Sequence, residues 1–210
     1  ARYNWSVVNV AGLANVADSL EALRVEVFEN EASDLATVVE ALRSDFRGFE
    51  AVRSRLSAYP KFGNDVASVN AIARRAATCV FNALLAQPCW RGGRFLGSCL
   101  MFVTYAMAGE PVGATPDGRG AGTPIADSAG AAQGRDTHGP TAMIKSVASL
   151  PHHAAPGTLV VNARFSAELF RTPEGRDRLR SLILSYFDLG GMQLQINVVD
   201  QEVLRDAIEH

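Results

Sequence analysis

Apolar residues recur at three- and four-residue steps through the first third of the chain. Leu13, Val16, Ala17, Leu20, Leu23 and Val27 share one face of a helix. Leu35, Val38, Val39 and Leu42 mark a second helix, with Ser33 placed to cap it. Residues 48–58 predict a third, stopped near Pro60. Residues 65–86 predict a fourth, with Val69, Ile72, Ala73, Ala76 and Val80 facing inward. The period then changes. Residues 98–107 form an apolar, β-branched and aromatic run without helical spacing, which reads as a strand buried on both faces. A Gly-rich stretch fills 109–140, long for a compact domain and therefore functional or disordered. Beyond it the pattern alternates: helix 141–150, strand 157–165, helix 173–189, strand 192–199 and a last helix from 201. Pro173 suits a first helical turn and Gly190 a left-handed stop. The sequence thus predicts an α/β fold, with a helical part over 1–96 and a strand/helix part over 97–210.

Composition narrows the function classes. The 210 residues carry 20 Lys and Arg against 22 Asp and Glu, and 48% are hydrophobic. No basic stripe suggests nucleic acid, and no apolar run reaches the ~18 residues of a membrane span. With no signal peptide visible, a cytoplasmic origin is the expectation. Cys79, Cys89 and Cys99 lack CxxC spacing, which argues against a disulfide framework and a zinc site. His152 and His153 are adjacent and point apart, a poor metal pair.

Five segments carry a family pattern. The first is Arg2-Tyr3-Asn4 followed by Gly12-Leu13-Ala14-Asn15-Val16-Ala17-Asp18-Ser19-Leu20. The second is Tyr59-Pro60-Lys61-Phe62-Gly63-Asn64-Asp65, and the third Arg91-Gly92-Gly93-Arg94-Phe95. The fourth starts at Gly113-Ala114-Thr115-Pro116-Asp117-Gly118-Arg119 and continues through Thr123-Pro124 to Gly139-Pro140-Thr141-Ala142. The fifth runs from Tyr186-Phe187 through Gly190-Gly191-Met192-Gln193 to Ile196-Asn197-Val198-Val199-Asp200. In this order and spacing the chain resembles the C-terminal part of the core of glycyl radical enzymes, the pyruvate formate-lyase family. In style it is similar to the dehydratase and lyase branches.

The resemblance implies part of a ten-stranded α/β barrel. It also implies radical cleavage of a carbon–carbon or carbon–heteroatom bond in a small substrate, or formate acetyltransferase-like chemistry. A glycyl radical in the parent, installed by an S-adenosylmethionine and iron–sulfur activating enzyme, passes to a cysteine; the parent is expected to be a homodimer. The family's Arg-Val-x-Gly-Tyr and Gly-Cys-x-Glu segments do not occur in these 210 residues. The expectation is therefore that the segment has no turnover alone, binds no cofactor or metal itself, and contributes no catalytic residue. Open sheet edges predict marginal stability or self-association in isolation. A non-catalytic scaffold derived from the same fold is the competing reading. A Rossmann module is disfavoured, because no GxGxxG joins a strand to a helix.

Candidate contacts follow. Met101, Phe102, Val103 and Thr104 lie in the predicted strand 98–107, where alternate residues would line a pocket or a core. Thr115 belongs to a turn in which Pro116 fixes φ and Gly118 supplies positive φ, and can face a chamber. Arg91 and Arg94, beside Gly92 and Gly93, suit either an anion or a salt bridge. Cys79 on the inner face of the fourth helix, Cys89 and Cys99 read as structural. Asp18, Asn64, Asp65 and Asp200 read as cap or turn residues, Trp5 and Trp90 as packing residues, and His138 as a weak candidate acid.

Overall fold

The computed structural model describes residues 4–101 and 103–209, with the side chains of Arg91, Gln201, Val203, Leu204 and Ile208 left aside. The chain is α/β. A strand missed by the hydrophobic pattern comes first, β1 (Ser6–Asn9). The helices α1 (Leu13–Leu23), α2 (Leu35–Arg43), α3 (Glu50–Ala58) and α4 (Ala67–Ala86) follow, with a π-helical segment, Arg24–Glu29, between the first two. Then come β2 (Phe95–Ser98), α5 (Tyr105–Gly109), a long loop, α6 (Pro140–Ala148), β3 (Val160–Phe165), α7 (Pro173–Asp188), β4 (Gln193–Val198) and α8 (Gln201–Glu209). The part predicted to be helical, 1–96, thus contains β1 and the first two residues of β2.

The strands form two parallel pairs, β1 with β2 and β3 with β4. A parallel bridge between Cys99 and Leu159 joins the pairs, so all four run as one arc in the order β1-β2-β3-β4. One face of this arc is covered. Val161, Ala163 and Cys99 join Phe81 of α4, Met143 and Ile144 of α6 and Leu182 and Tyr186 of α7 in the main core. Gly97 permits the close approach of α4 to β2, since a Cβ there would stand 2.2 Å from the Phe81 ring. A smaller core gathers Ala22, Val38, Ala41, Phe46, Val52 and Leu56.

Several expectations are corrected. The strand predicted over 98–107 ends at Ser98. Ala129 N–H donates to the Val160 carbonyl at 2.8 Å and takes the slot beside β3 that a longer β2 would need. The chain instead turns, Thr104 N–H bonding the Met101 carbonyl at 2.9 Å, and enters α5. The cap of α2 is Asp34, whose carboxylate accepts from Thr37 N–H at 2.7 Å; the Ser33 hydroxyl is turned to Glu26. On α4 the buried row is Val69, Ala73, Ala77 and Phe81, one residue per turn, which leaves Val80 and Cys79 exposed. On α1, Val16 and Leu20 are exposed, while Asp18 and Glu21 are buried. Trp5 and Trp90 are exposed rather than packed inside.

Candidate functional site

Parallel sheets are ordinarily covered on both faces. Here the helices of the main core pack on one face of the arc. Side chains alternate along a strand, and residues in register on parallel neighbours share a face. Val161 and Ala163, with their register partners Leu194 and Ile196, mark the helix side; Gly97, facing Phe81, puts Val8 there too. The open side therefore carries Val7 and Asn9 on β1, Leu96 and Ser98 on β2, Val160, Asn162 and Arg164 on β3, and Gln193, Gln195 and Asn197 on β4, of which Leu96, Ser98 and Val160 are buried. Carboxamides dominate it. Such a face suits hydrogen bonding to something that covers it.

Asp127 and Ser128 stand at the edge of this face, where the long loop passes β3. Asn162 donates to the Asp127 carboxylate at 2.9 Å, and the Ser128 hydroxyl donates to the same carboxylate at 2.9 Å. Ser128 Oγ also accepts from Met101 N–H at 3.0 Å. Arg164 approaches Asp127 at 3.9 Å. Ser128 is fully buried with φ of 54°, a conformation that costs a non-glycine residue and that tends to mark functional or tightly held sites. Two acceptors near this edge, Asn162 Oδ1 and Ser98 Oγ, are buried without a partner. A cavity of about 350 Å³ opens beside Asn162, Arg164, Phe165, Asp136 and Met143.

A second polar network ties the long loop to the helices. Asn15 donates to Asp117 at 2.7 Å and accepts from Ala126 N–H at 2.7 Å. The Arg119 guanidinium is spent on the Thr115 hydroxyl and on the carbonyls of Val112, Gly113 and Thr123. Nearby, Asp18 accepts from Phe62 N–H at 2.6 Å, while its other oxygen is buried without a partner. Burial pushes the Asp18 carboxyl up to about 7, against the Phe62 bond and the Lys61 charge. Burial also lowers Lys61, whose ammonium donates to the carbonyls of Leu56 and Tyr59. These bonds make 109–140 an ordered element, not a linker.

The predicted site residues separate. Met101 is buried beside Ser128, and Val103 is exposed. Thr104 bonds the Met101 carbonyl, and Phe102 lies outside the described residues. Thr115 is committed to Asp117 and Arg119. Arg94 donates to the Ala86 carbonyl at the end of α4, where a cation complements the helix terminus, and the Arg91 side chain lies outside the described residues. His138 and Asn64 bond each other, and buried His152 meets the Val147 carbonyl at 3.0 Å. Burial raises the Cys99 thiol to about 12, the Cys89 thiol faces the Asn4 carbonyl, and Cys79 is exposed on α4. None of the three cysteines lies on the open face. Among the described residues no cluster of His, Cys, Asp or Glu is placed to hold a metal ion, and no helix is long and apolar enough to cross a membrane.

Asn162, Gln195, Asn197, Asp127 and Ser128 escaped the sequence reading. The alternation of Asn162 with Val161 and Ala163, and of Gln195 and Asn197 with Leu194 and Ile196, was the available signal.

Comparison with known proteins places these features. The family description "Pyruvate formate lyase-like" matches residues 1–109, and "Glycine radical" matches 125–210. Trans-4-hydroxy-L-proline dehydratase of Clostridioides difficile is 34% identical over 208 residues, covering 99% of this chain and 26% of that protein. An isethionate sulfite-lyase of Oleidesulfovibrio alaskensis is 31% identical over 208 residues, covering 96% of this chain and 24% of its own. The glycerol-bound B12-independent glycerol dehydratase of Clostridium butyricum superposes with a TM-score of 0.96 at 35% identity, over all of this chain and 27% of that one. The chain thus spans about a quarter of the length of the relatives it matches.

Proposed function

Because the chain belongs to the pyruvate formate lyase-like family of glycyl radical enzymes, we propose that it is one sector of the barrel of a dehydratase or lyase, with its open face toward the reaction chamber. The observation that carries this is the one-sided placement of the core helices: they pack on one face, and five carboxamides, Ser98 and Arg164, with Val7, Leu96 and Val160 among them, occupy the other. In a closed barrel that face is the lumen. The parent reaction is radical cleavage of a C–O, C–N, C–S or C–C bond in a small polar substrate. The compounds named for these relatives, hydroxyproline, isethionate and glycerol, indicate the size and polarity to test first.

A glycyl radical supplies the hydrogen-abstracting chemistry in this family. No glycine of 125–210 stands in an Arg-Val-x-Gly-Tyr context, and the three thiols sit off the open face. The radical glycine and the reacting cysteine are therefore assigned to other parts of the parent, with a separate activating enzyme and a homodimeric assembly. The residues present wall the chamber, exclude water and hold the long loop in place. Met101 and Thr104, at the turn after β2, and Thr115 in its clamp remain the proposed pocket-side positions, with Phe102 and Val103 between the first two.

The test is anaerobic activation of the full parent protein with S-adenosylmethionine and its activating enzyme. Electron paramagnetic resonance is expected to give a glycyl doublet. Turnover is expected with at least one substrate among glycerol, propane-1,2-diol, hydroxyproline and isethionate. A doublet with no turnover on any polar substrate of this size sinks the dehydratase/lyase assignment. No doublet after full iron–sulfur loading sinks the radical one.

A further inference from the structure

The motif Tyr59 to Asp65 meets the far end of the long loop around a cavity of about 350 Å³ that the proposed function leaves unused. The cavity lies between the end of α3 at Ser57 and Ala58, the turn through Lys61 and Asn64, and the loop residues Arg135 and His138. None of its lining residues belongs to a strand, and among the described residues none is an Asp or Glu. Asn64 builds the cradle. Its amide donates to the Lys61 carbonyl at 3.1 Å and to the Arg135 carbonyl at 2.7 Å, and its side-chain oxygen accepts from His138 N–H at 2.9 Å. Gly63, with φ of 96°, lets the turn and the loop close up, since a Cβ there would stand 2.7 Å from the Ala131 Cβ.

Three basic groups meet in this cavity, and each is fixed by a carbonyl. The buried Lys61 ammonium donates to Leu56 and to Tyr59, both at 2.8 Å. The Arg135 guanidinium gives an N–H to Ser57 at 3.0 Å. His138 Nδ1 lies 3.2 Å from the Asn64 carbonyl, which only accepts, so Nδ1 carries a proton and Nε2 is left over. The carbonyls that would repel an anion are thus already covered, while the Arg135 fork keeps donors to spare. Among the described residues no carboxylate stands within ion-pair distance of Lys61, Arg135 or His138. The carboxylates that act on Lys61 through space, Asp18, Asp117 and Glu21, do not line the cavity and are bonded to Phe62, Asn15 and Arg24. The end of α3 carries roughly half a negative charge, too little to balance Lys61 and Arg135 together.

We propose that this cavity binds a small oxyanion, a phosphoryl or carboxylate group, between the Arg135 fork and His138, with Lys61 supplying charge from the wall. A guanidinium fork matches two oxygens of either group through paired charge-assisted bonds, and the protonated His138 Nε2 adds a donor from a second element of the loop. The volume is at the small end of ligand cavities, which suits such a group better than a large cofactor. Bound there, the anion ties the turn at 59–65 to the loop at 134–138 and steadies the far end of the long loop. The site does not depend on which way the open strand face looks in the parent.

The experiment is hydrogen exchange by mass spectrometry on the full-length parent, in sodium phosphate, sodium acetate and sodium chloride at matched pH and ionic strength. Amides of 61–66 and 133–139 are expected to exchange several-fold slower, and saturably so, in phosphate or in acetate than in chloride. Slowing by phosphate alone assigns the phosphoryl class, and slowing by acetate alone the carboxylate class. Arg135→Gln should raise the half-saturating concentration roughly tenfold or more, the loss of a charge-assisted bond. His138→Gln, whose amide keeps a donor for the Asn64 carbonyl, should raise it too, and serves where loss of the Ser57 bond unsettles the first variant. Unchanged protection in α1 and α4 reports that the variants fold. Equal exchange in all three salts overturns the proposal. A slowing that both variants leave untouched overturns it as well, because the anion then sits elsewhere in the parent.

Discussion

Replacing Asp18 by Asn should remove a pH dependence that the native fold cannot avoid. Asp18 is fully buried on α1, with one oxygen bonded to Phe62 N–H and the other without a partner. Lys61, Asp117 and Arg135 face it electrostatically, and burial outweighs the Lys61 and Arg135 attractions, raising the carboxyl from 3.8 to about 7. A raised carboxyl binds its proton more tightly in the folded state than in the unfolded one. Stability from this group is therefore fully present below the unfolded value near 3.8, and is lost as pH rises through the folded value near 7. At ~1.36 kcal/mol per unit the whole span amounts to roughly 4 kcal/mol, and the part between about pH 5 and pH 7 to roughly 2–3 kcal/mol. Asn keeps the acceptor for Phe62 and cannot ionise. Denaturation of the protein carrying this segment, followed across pH, should show the variant gaining on the wild type by roughly 2–3 kcal/mol between about pH 5 and about pH 7.5. Glu21 and Glu26, held below the usual carboxylate range by Arg24 and by Arg55, Ser33 and Tyr59 respectively, bend both profiles alike, so the difference reports Asp18 together with Lys61, whose ammonium the Asp18 charge supports. Parallel profiles for the two proteins would refute the reasoning.

Gly97→Ala should destabilise by about 1–3 kcal/mol, because its Cβ meets the Phe81 ring at 2.2 Å. Combining it with Phe81→Leu should cost less than the sum of the single changes, read by a double-mutant cycle on denaturation midpoints. Glu26→Gln should cost about 1–3 kcal/mol in the same assay, since a fully buried carboxylate there accepts from Arg55, Ser33 and Tyr59, and Arg55 is itself partly solvent-screened. Native-state alkylation with iodoacetamide at neutral pH should modify Cys79 and leave Cys99, buried and raised to about 12, unmodified; peptide mapping that finds Cys99 alkylated at a comparable rate would contradict its place in the β2–β3 seam.

The legible part of this fold was the part whose burial follows one simple period. Helices α2, α3, α4, α6 and α7 and strands β3 and β4 sit within a few residues of their predicted positions, because each pairs an apolar stripe with a clear stop such as Pro60 or Gly190. β1 was illegible, since its four residues are mostly exposed on the open side and carry no apolar alternation of a buried strand. The run after Ser98 misled for the opposite reason. Its apolar residues are real, but its pairing slot beside β3 is occupied by Ala129, a residue thirty positions later that no local pattern can announce. The long loop's order was equally hidden, because Asn15 of α1 holds it at Asp117 and at the Ala126 N–H, more than a hundred positions away in sequence, while Arg119 braces it from within.

The same division explains why the motifs were more visible than the site. Tyr59 to Asp65 and Thr115 to Arg119 stand out in sequence because they combine glycine and proline with polar residues that bond the backbone in unusual places: Lys61 to two carbonyls, Asn64 to two more, Arg119 to three. These are the contacts that hold loops against helices, and substitution there acts on the fold. The open face uses ordinary strand residues, and Asn162, Gln195 and Asn197 are conspicuous only once the register shows that they share a side and that the helices occupy the other. Substitution on that side should leave the helix packing intact and act on whatever meets that side. Val161→Ala and Asn162→Ser, adjacent in sequence and opposite in orientation, make the contrast sharp. The first opens a cavity against α6 and α7 and should lower stability by about 1–3 kcal/mol; the second should leave helix protection unchanged. Equal losses of stability from the two would mean that Asn162 is as tightly packed by this segment's own residues as Val160, its buried neighbour on the same side.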